Sequence, residues 1–227
     1  MDVTTGPASF VRARTPANKE RRARDLLESA RHLAEVGGVR TVTLTAIAQR
    51  AGVHASGVRR YFDSREEILV RLATGAWSEW AEDLGRQLDE AGPMNAAALA
   101  RMLACSLEAR PLFCDLLGHA AVSLERQVPA DCVRDYKLAA LDAVSLLADA
   151  FHRVLPELPP DAGRDLVASA TALAAAFWQY SNPDEVLAQL YAEDQRLAHA
   201  EVDFGPRMTS VLTALITGLI STPPAER

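Results

Sequence analysis

The sequence predicts an all-α protein, with an N-terminal three-helix helix-turn-helix unit followed by a larger helical bundle. Two observations carry this expectation. Apolar residues recur at the 3.6-residue helical period along nearly the whole chain, and no segment alternates at the period of two that a half-buried strand requires. With 227 residues, 49% of them hydrophobic, the chain is long enough to bury one small core and one medium one.

The elements follow in order. Thr15-Pro16 starts a first helix, a cap with proline where the missing N–H costs nothing, and its stripe is Ala23, Leu26, Leu27, Ala30, Leu33 and Ala34. Gly37-Gly38 stops it. A short helix runs from a Thr43 cap through Leu44, Ile47 and Ala48 to Ala51, Gly52 turns the chain, and a third helix is expected from His54 to Tyr61. Ser64-Arg65-Glu66-Glu67 is a capping box that opens a long helix to about Ala91, with Ile68, Leu69, Leu72, Ala76, Trp77, Trp80, Leu84 and Leu88 on its apolar face. Further helices are expected at about 95–109, 111–127, 130–154, 161–180, 184–195 and 205–221, most junctions being marked by proline or glycine. The domains are therefore a disordered basic arm (1–14), a helix-turn-helix domain (15–63) and a helical domain (64–221).

The net charge of -6 hides two opposite halves. Residues 1–63 carry +5 and residues 64–227 carry -11, so the cations that bind a phosphate backbone are concentrated in the first unit. Cys105, Cys114 and Cys132 lack CxxC spacing and read as small buried hydrophobes, not as a disulfide framework or metal site. His32, His54, His119, His152 and His199 are scattered, and no nucleophile elbow, phosphate-cradling glycine loop or HExxH is present; neither an enzyme nor a cofactor or metal is expected. No apolar run reaches eighteen residues and the N-terminus has no secretory core, so a cytoplasmic protein without a membrane segment is expected.

The stretch Leu44 to Val58, LTAIAQRAGVHASGV, carries the function. Two short helices crossing steeply need a small residue at the crossing, a residue tolerant of positive φ in the turn, and an apolar lock on the second helix; Ala48, Gly52 and Val58 supply them. Leu44, Ile47 and Val53 close the small core against helix one. The third helix then lies in a DNA major groove, its early residues nearest the base edges. His54 and Ser56 can exchange hydrogen bonds with bases, Ala55 can meet a thymine methyl, and Gly57 permits close approach. Arg59 and Arg60 are the strongest candidates, for phosphate or, at Arg59, for guanine. Thr43 and Tyr61 carry hydroxyls suited to phosphate. Arg12 and Arg14 in the arm are candidates for minor-groove or phosphate contact.

The run from Thr41 to Leu69 resembles the DNA-binding region of the TetR family. It shows Ile47-Ala48, Ala51-Gly52-Val53 and Tyr61-Phe62-Asp63-Ser64-Arg65-Glu66-Glu67-Ile68 in that family's order and spacing. It departs at Gly57, where a small hydroxyl or alanine is usual, and at Arg59, where an aromatic is usual. Pro111 to Glu125, PLFCDLLGHAAVSLE, is similar to one C-terminal subtype of the family. The resemblance implies a homodimer on palindromic operator DNA, a ligand-binding and dimerisation bundle from the long helix onward, and most often a repressor released by a small apolar or aromatic effector.

Within the bundle, Trp77, Trp80, Met102, Cys105, Phe113, Leu117, His119, Tyr136, Phe151 and Trp178 are the candidate pocket residues, an apolar chamber with a few polar handles. Small residues at 168, 170, 172 and 174–176 permit close backbone approach, and the last helix is apolar over a broad face. Leu166, Ala170, Leu173, Phe177, Met208, Leu212, Leu215 and Leu219 are accordingly expected in a two-fold four-helix dimer interface.

Overall fold

The computed structural model describes residues 16–123, 128–194, 196–197 and 203–222, all helix, turn or loop; the arm expected over 1–14, with Arg12 and Arg14, lies outside them. The helices are α1 (Pro16–Gly37), α2 (Leu44–Arg50), α3 (Ala55–Val58), α4 (Arg65–Ala91), α5 (Ala96–Glu108), α6 (Pro111–Ser123), α7 (Ala130–Val154), α8 (Pro160–Ser181), α9 (Glu185–Glu193) and α10 (Phe204–Ser221). A 3₁₀ turn, Val39–Thr41, joins α1 to α2. No helix among the described residues is long and apolar enough to cross a membrane.

The caps explain where the helices begin. The Thr43 hydroxyl accepts from the Ala46 amide at 3.0 Å, and the Ser64 hydroxyl accepts from the Glu67 amide at 3.0 Å. Glu67 is buried, yet its carboxylate accepts from the Asp63 amide at 2.7 Å and pairs with Arg71 at 2.9 Å, so its charge is fully answered. Gly52, at φ 64, makes the turn between α2 and α3 in the left-handed region, where a β-carbon is strained. The third helix is shorter than expected. It ends at Val58, and the chain reaches Tyr61 through tight turns, the Tyr61 amide donating to the Val58 carbonyl at 2.9 Å. Tying Val58 and Phe62 into the core, where both are buried, leaves no room for another helical turn.

Two hydrophobic regions merge into one core. Leu26, Ala30 and Ala34 of α1 meet Val39, Val42, Ile47, Val58 and Phe62 in the first unit, while Leu44 and Val53 are only half-buried. Beyond it, α4 lies along α7, α8 packs on α6 and α7, and α10 packs on α5 and α8. Gly163 lets α8 approach α7, since a β-carbon there would sit 3.1 Å from the Ala148 Cα.

The cysteine expectation needs one correction. Cys114 and Cys132 are buried, but Cys105 is exposed because it shares the outer face of α5 with Arg101 and Glu108. Burial pushes the Cys114 thiol up to about 12. Titration of the native chain with a maleimide is therefore expected to modify one thiol quickly, with the other two reacting only after denaturant is added.

Candidate nucleic-acid interface and effector cavities

α2, the Gly52 turn and α3 set two short helices on α1 and α4. The His54 ring caps α3: Nδ1 accepts from the Ser56 amide at 3.4 Å and lies 3.0 Å from the Ser56 hydroxyl. With Nδ1 accepting, the ring proton sits on Nε2, which is a donor. His54 is thus a cap, and Ser56 is engaged with it. Thr43 is likewise a cap. A β-carbon at Gly57 would meet Val53 at an ordinary 3.6 Å, so packing does not require glycine there. Ala55 and Tyr61 are half-buried, the latter against the core.

Arg59 and Arg60 are exposed and form no hydrogen bond or ion pair with the described residues. The neighbouring Arg50, at the end of α2, is in the same state and was not singled out by the motif. Several arginines elsewhere are occupied: Arg31 pairs with Glu79 at 2.9 Å, Arg110 with Asp83 at 2.5 Å, and Arg65 donates to the Val42 and Val39 carbonyls. Three free guanidinium groups, one ending α2 and two just after α3, offer planar, bidentate donors to phosphate or guanine.

Two of the openings among the described residues bear on an effector. The first, about 720 Å³, is bounded by both units, with Arg31, Ala34, Gly38 and Arg40 on one side and Phe113, Asp115, Trp178 and Gln179 on the other. The second, about 560 Å³, is a groove between α4, α6, α7 and α8, walled by Val70, Trp77, Leu117, Tyr136, Thr171, and an alanine face of α8. Five of the ten expected pocket residues border these spaces: Trp77, Leu117 and Tyr136 the groove, Phe113 and Trp178 the space between the units.

The other five do not. Trp80 and Phe151 are fully buried core, Met102 is half-buried on α5, Cys105 is exposed, and His119 turns back to Asp115. Helical periodicity identifies an apolar face, but whether that face meets a side chain or a void depends on what packs opposite. Trp77, Trp80 and Phe113 pack ring against ring with centroids 5.2–5.7 Å apart, and of the three Trp77 alone reaches the groove; the Trp80 indole donates to the Ser106 hydroxyl at 3.1 Å and the Trp77 indole to the Tyr136 hydroxyl at 3.4 Å.

The interface residues divide in the same way. Leu166, Ala170, Met208 and Leu212 are wholly buried within one chain, which corrects their expected place at a partner's surface. α10 spends its most apolar stripe on α5 and α8. Leu173, Phe177, Leu215 and Leu219 are half-buried, and Tyr180, Val186, Leu187 and Leu190 are exposed apolar side chains nearby in sequence.

Asp115 links the units. Burial pushes its carboxyl up, but bonds from His119, the Val39 amide and Gln179 together outweigh this and hold it below the usual carboxylate range. The bond to Asp115 raises the His119 imidazole above its ordinary value despite burial. A raised folded value contributes stability that is full below the ordinary imidazole range, about 6.5, and is lost as pH rises through the folded value. The urea midpoint is therefore expected to fall more between pH 6 and pH 8.5 in the native protein than in His119→Gln.

A family model described as "Bacterial regulatory proteins, tetR family" matches residues 26–72, and one described as "Tetracyclin repressor-like, C-terminal domain" matches residues 74–223. No curated protein matches the chain. Among solved structures, FadR from Bacillus halodurans, a fatty acid degradation regulator, is 13% identical with a TM-score of 0.54, covering 86% of this chain and 94% of that one. Thermus thermophilus FadR, a TetR-family repressor in complex with lauroyl-CoA, is 14% identical with a TM-score of 0.54, covering 90% and 98%. The multidrug binding protein EbrR, in complex with imidazole, is 16% identical with a TM-score of 0.51, covering 90% and 97%. At these identities the likeness is one of fold. The two family matches, which together span both the helix-turn-helix unit and the bundle, place the chain in the TetR family of bacterial transcriptional regulators.

Proposed function

We propose that this chain is a homodimeric repressor that binds palindromic operator DNA and is released by a small apolar or aromatic effector. The observation that carries the DNA reading is the set of unpaired guanidinium groups, Arg59, Arg60 and Arg50, beside a capped helix-turn-helix. In this reading α3 enters the major groove, with Ala55 and Gly57 nearest the bases and the arginines on phosphate or guanine. The Thr43 and Tyr61 hydroxyls reach phosphate, and His54, through Nε2, meets a base edge. Ser56 adds its hydroxyl from the same turn.

The effector site is the groove beside Trp77, Leu117 and Tyr136. Its volume suits a small ligand, its walls are mainly apolar, and Tyr136, Thr171 and Gln179 supply polar handles. Structures of the same fold hold lauroyl-CoA in one case and belong to a multidrug binder in another, which supports an apolar or elongated occupant. A partner covers the outer face of α8 and α10 at Leu173, Phe177, Leu215 and Leu219. Dimerisation sets two α3 helices about one DNA turn, roughly 34–36 Å, apart, so a few ångströms of change removes binding.

Selection from a random duplex library, followed by titration at two salt concentrations, tests the DNA reading. A palindromic site bound more weakly at higher salt is the expected result; no enriched sequence defeats it.

A further inference from the structure

Val39, buried in the turn between α1 and α2, has both of its backbone polar groups tied to helices beyond the helix-turn-helix. Its amide donates to the Asp115 carboxylate of α6 at 2.7 Å, and its carbonyl accepts from Arg65 of α4 at 2.8 Å. Three residues later Arg65 also holds the Val42 carbonyl, directly before the Thr43 cap of α2. The position of α2 is therefore set by a turn gripped from two sides.

One grip is continued into the bundle. The other Asp115 oxygen accepts from the Gln179 carboxamide of α8 at 3.0 Å, and the Gln179 carbonyl oxygen accepts from Arg40, in the same turn as Val39, at 3.4 Å. Gly118 makes room for this amide, since a β-carbon there would come within 3.1 Å of its nitrogen. Of the residues bordering the two openings, Gln179 is the one common to both.

We propose that Gln179 is the positioning residue that links the effector groove to the DNA-reading unit, and that the occupant acts by presenting a hydrogen-bonding group to its carboxamide. This rests on the ligand-responsive reading above. An occupant that takes the amide nitrogen removes one partner from Asp115 and one acceptor from Arg40 together. The carboxylate that orients the Val39 amide is then held on that side by His119 alone, and the grip from α6 loosens while that from α4 remains. An occupant that leaves Gln179 alone has the same affinity for both arrangements and shifts nothing.

Hydrogen exchange on the full chain tests this from both ends. Without DNA, the Val39 amide is expected to exchange about tenfold faster in Asp115→Ala and several-fold faster in Gln179→Leu, while the Ile47 and Val58 amides keep their native rates and so exclude general unfolding. Coupling is reciprocal, so the library-selected duplex, at saturating concentration, should slow exchange across residues 115–119 in the native protein and fail to do so in Gln179→Leu, which binds that duplex several-fold more weakly because the grip from α6 is already loosened. Native Val39 exchange in Gln179→Leu, or duplex protection that survives the substitution, overturns the proposal. A chain that selects no duplex brings down the regulator reading itself, a result separate from the Val39 exchange rates.

Discussion

Arg59→Ala combined with Arg60→Ala is expected to weaken the selected duplex by roughly thirtyfold to a thousandfold, or about 2–4 kcal/mol, without changing the urea midpoint. Each arginine lost from phosphate or guanine costs on the order of 1–2 kcal/mol, and each phosphate contact removed lowers the salt slope by about 0.9. Neither side chain bonds any described residue, so the fold loses nothing. Fluorescence anisotropy at several salt concentrations separates the roles. A uniform loss over all sequences with a shallower slope marks phosphate contact, and a loss confined to one base position marks guanine. Arg101→Ala, an exposed arginine of the bundle, serves as the control and should leave binding unchanged. Unaltered affinity in the double variant would move the interface away from α3.

Trp80→Ala is expected to cost about 3–5 kcal/mol of stability, the range for deleting a large fully buried aromatic and leaving a cavity. Trp80 has no exposed surface, touches Trp77 and Phe113 ring to ring, and uses its indole N–H on the Ser106 hydroxyl, which itself donates to the Leu103 carbonyl. Truncation removes packing and also deprives a buried hydroxyl of a donor. Ser106→Ala is expected to cost less, about 1–3 kcal/mol, since it leaves only the indole N–H without a partner. Urea unfolding followed by circular dichroism gives both values. Because Trp80 backs Trp77, which lines the groove, effector binding should weaken in Trp80→Ala beyond the loss of folded protein.

The helices were legible because each has a local cause. The Thr43 and Ser64 caps, the Gly52 turn and the proline and glycine junctions are written in neighbouring residues, and most helices begin and end within a few positions of where those residues place them. α3 is the exception, since its end is set by Val58 and Phe62 being drawn into a core that local propensity does not describe. The candidate DNA contacts could be proposed from sequence for the same reason as the caps: they sit in one short run. Even there, only the structure showed that His54 and Ser56 are bonded to each other and that Arg50, like Arg59 and Arg60, has no partner among the described residues.

By itself, then, the sequence determined the all-helical class, the order and approximate ends of the helices, and the basic reading unit set against an acidic bundle, because these follow from short-range periodicity, capping and charge. The tertiary structure alone decided which apolar faces are consumed inside the chain and which stay open: Phe151, Leu212 and Met208 closed, Trp77 and Tyr136 beside a void, Cys105 outside. It alone brought Asp115 to the Val39 amide and Gln179, 64 residues further along the chain, to Asp115. A periodic pattern says how a helix is oriented about its own axis; what that face meets is fixed by helices distant in sequence, through volumes and hydrogen bonds that no local window contains.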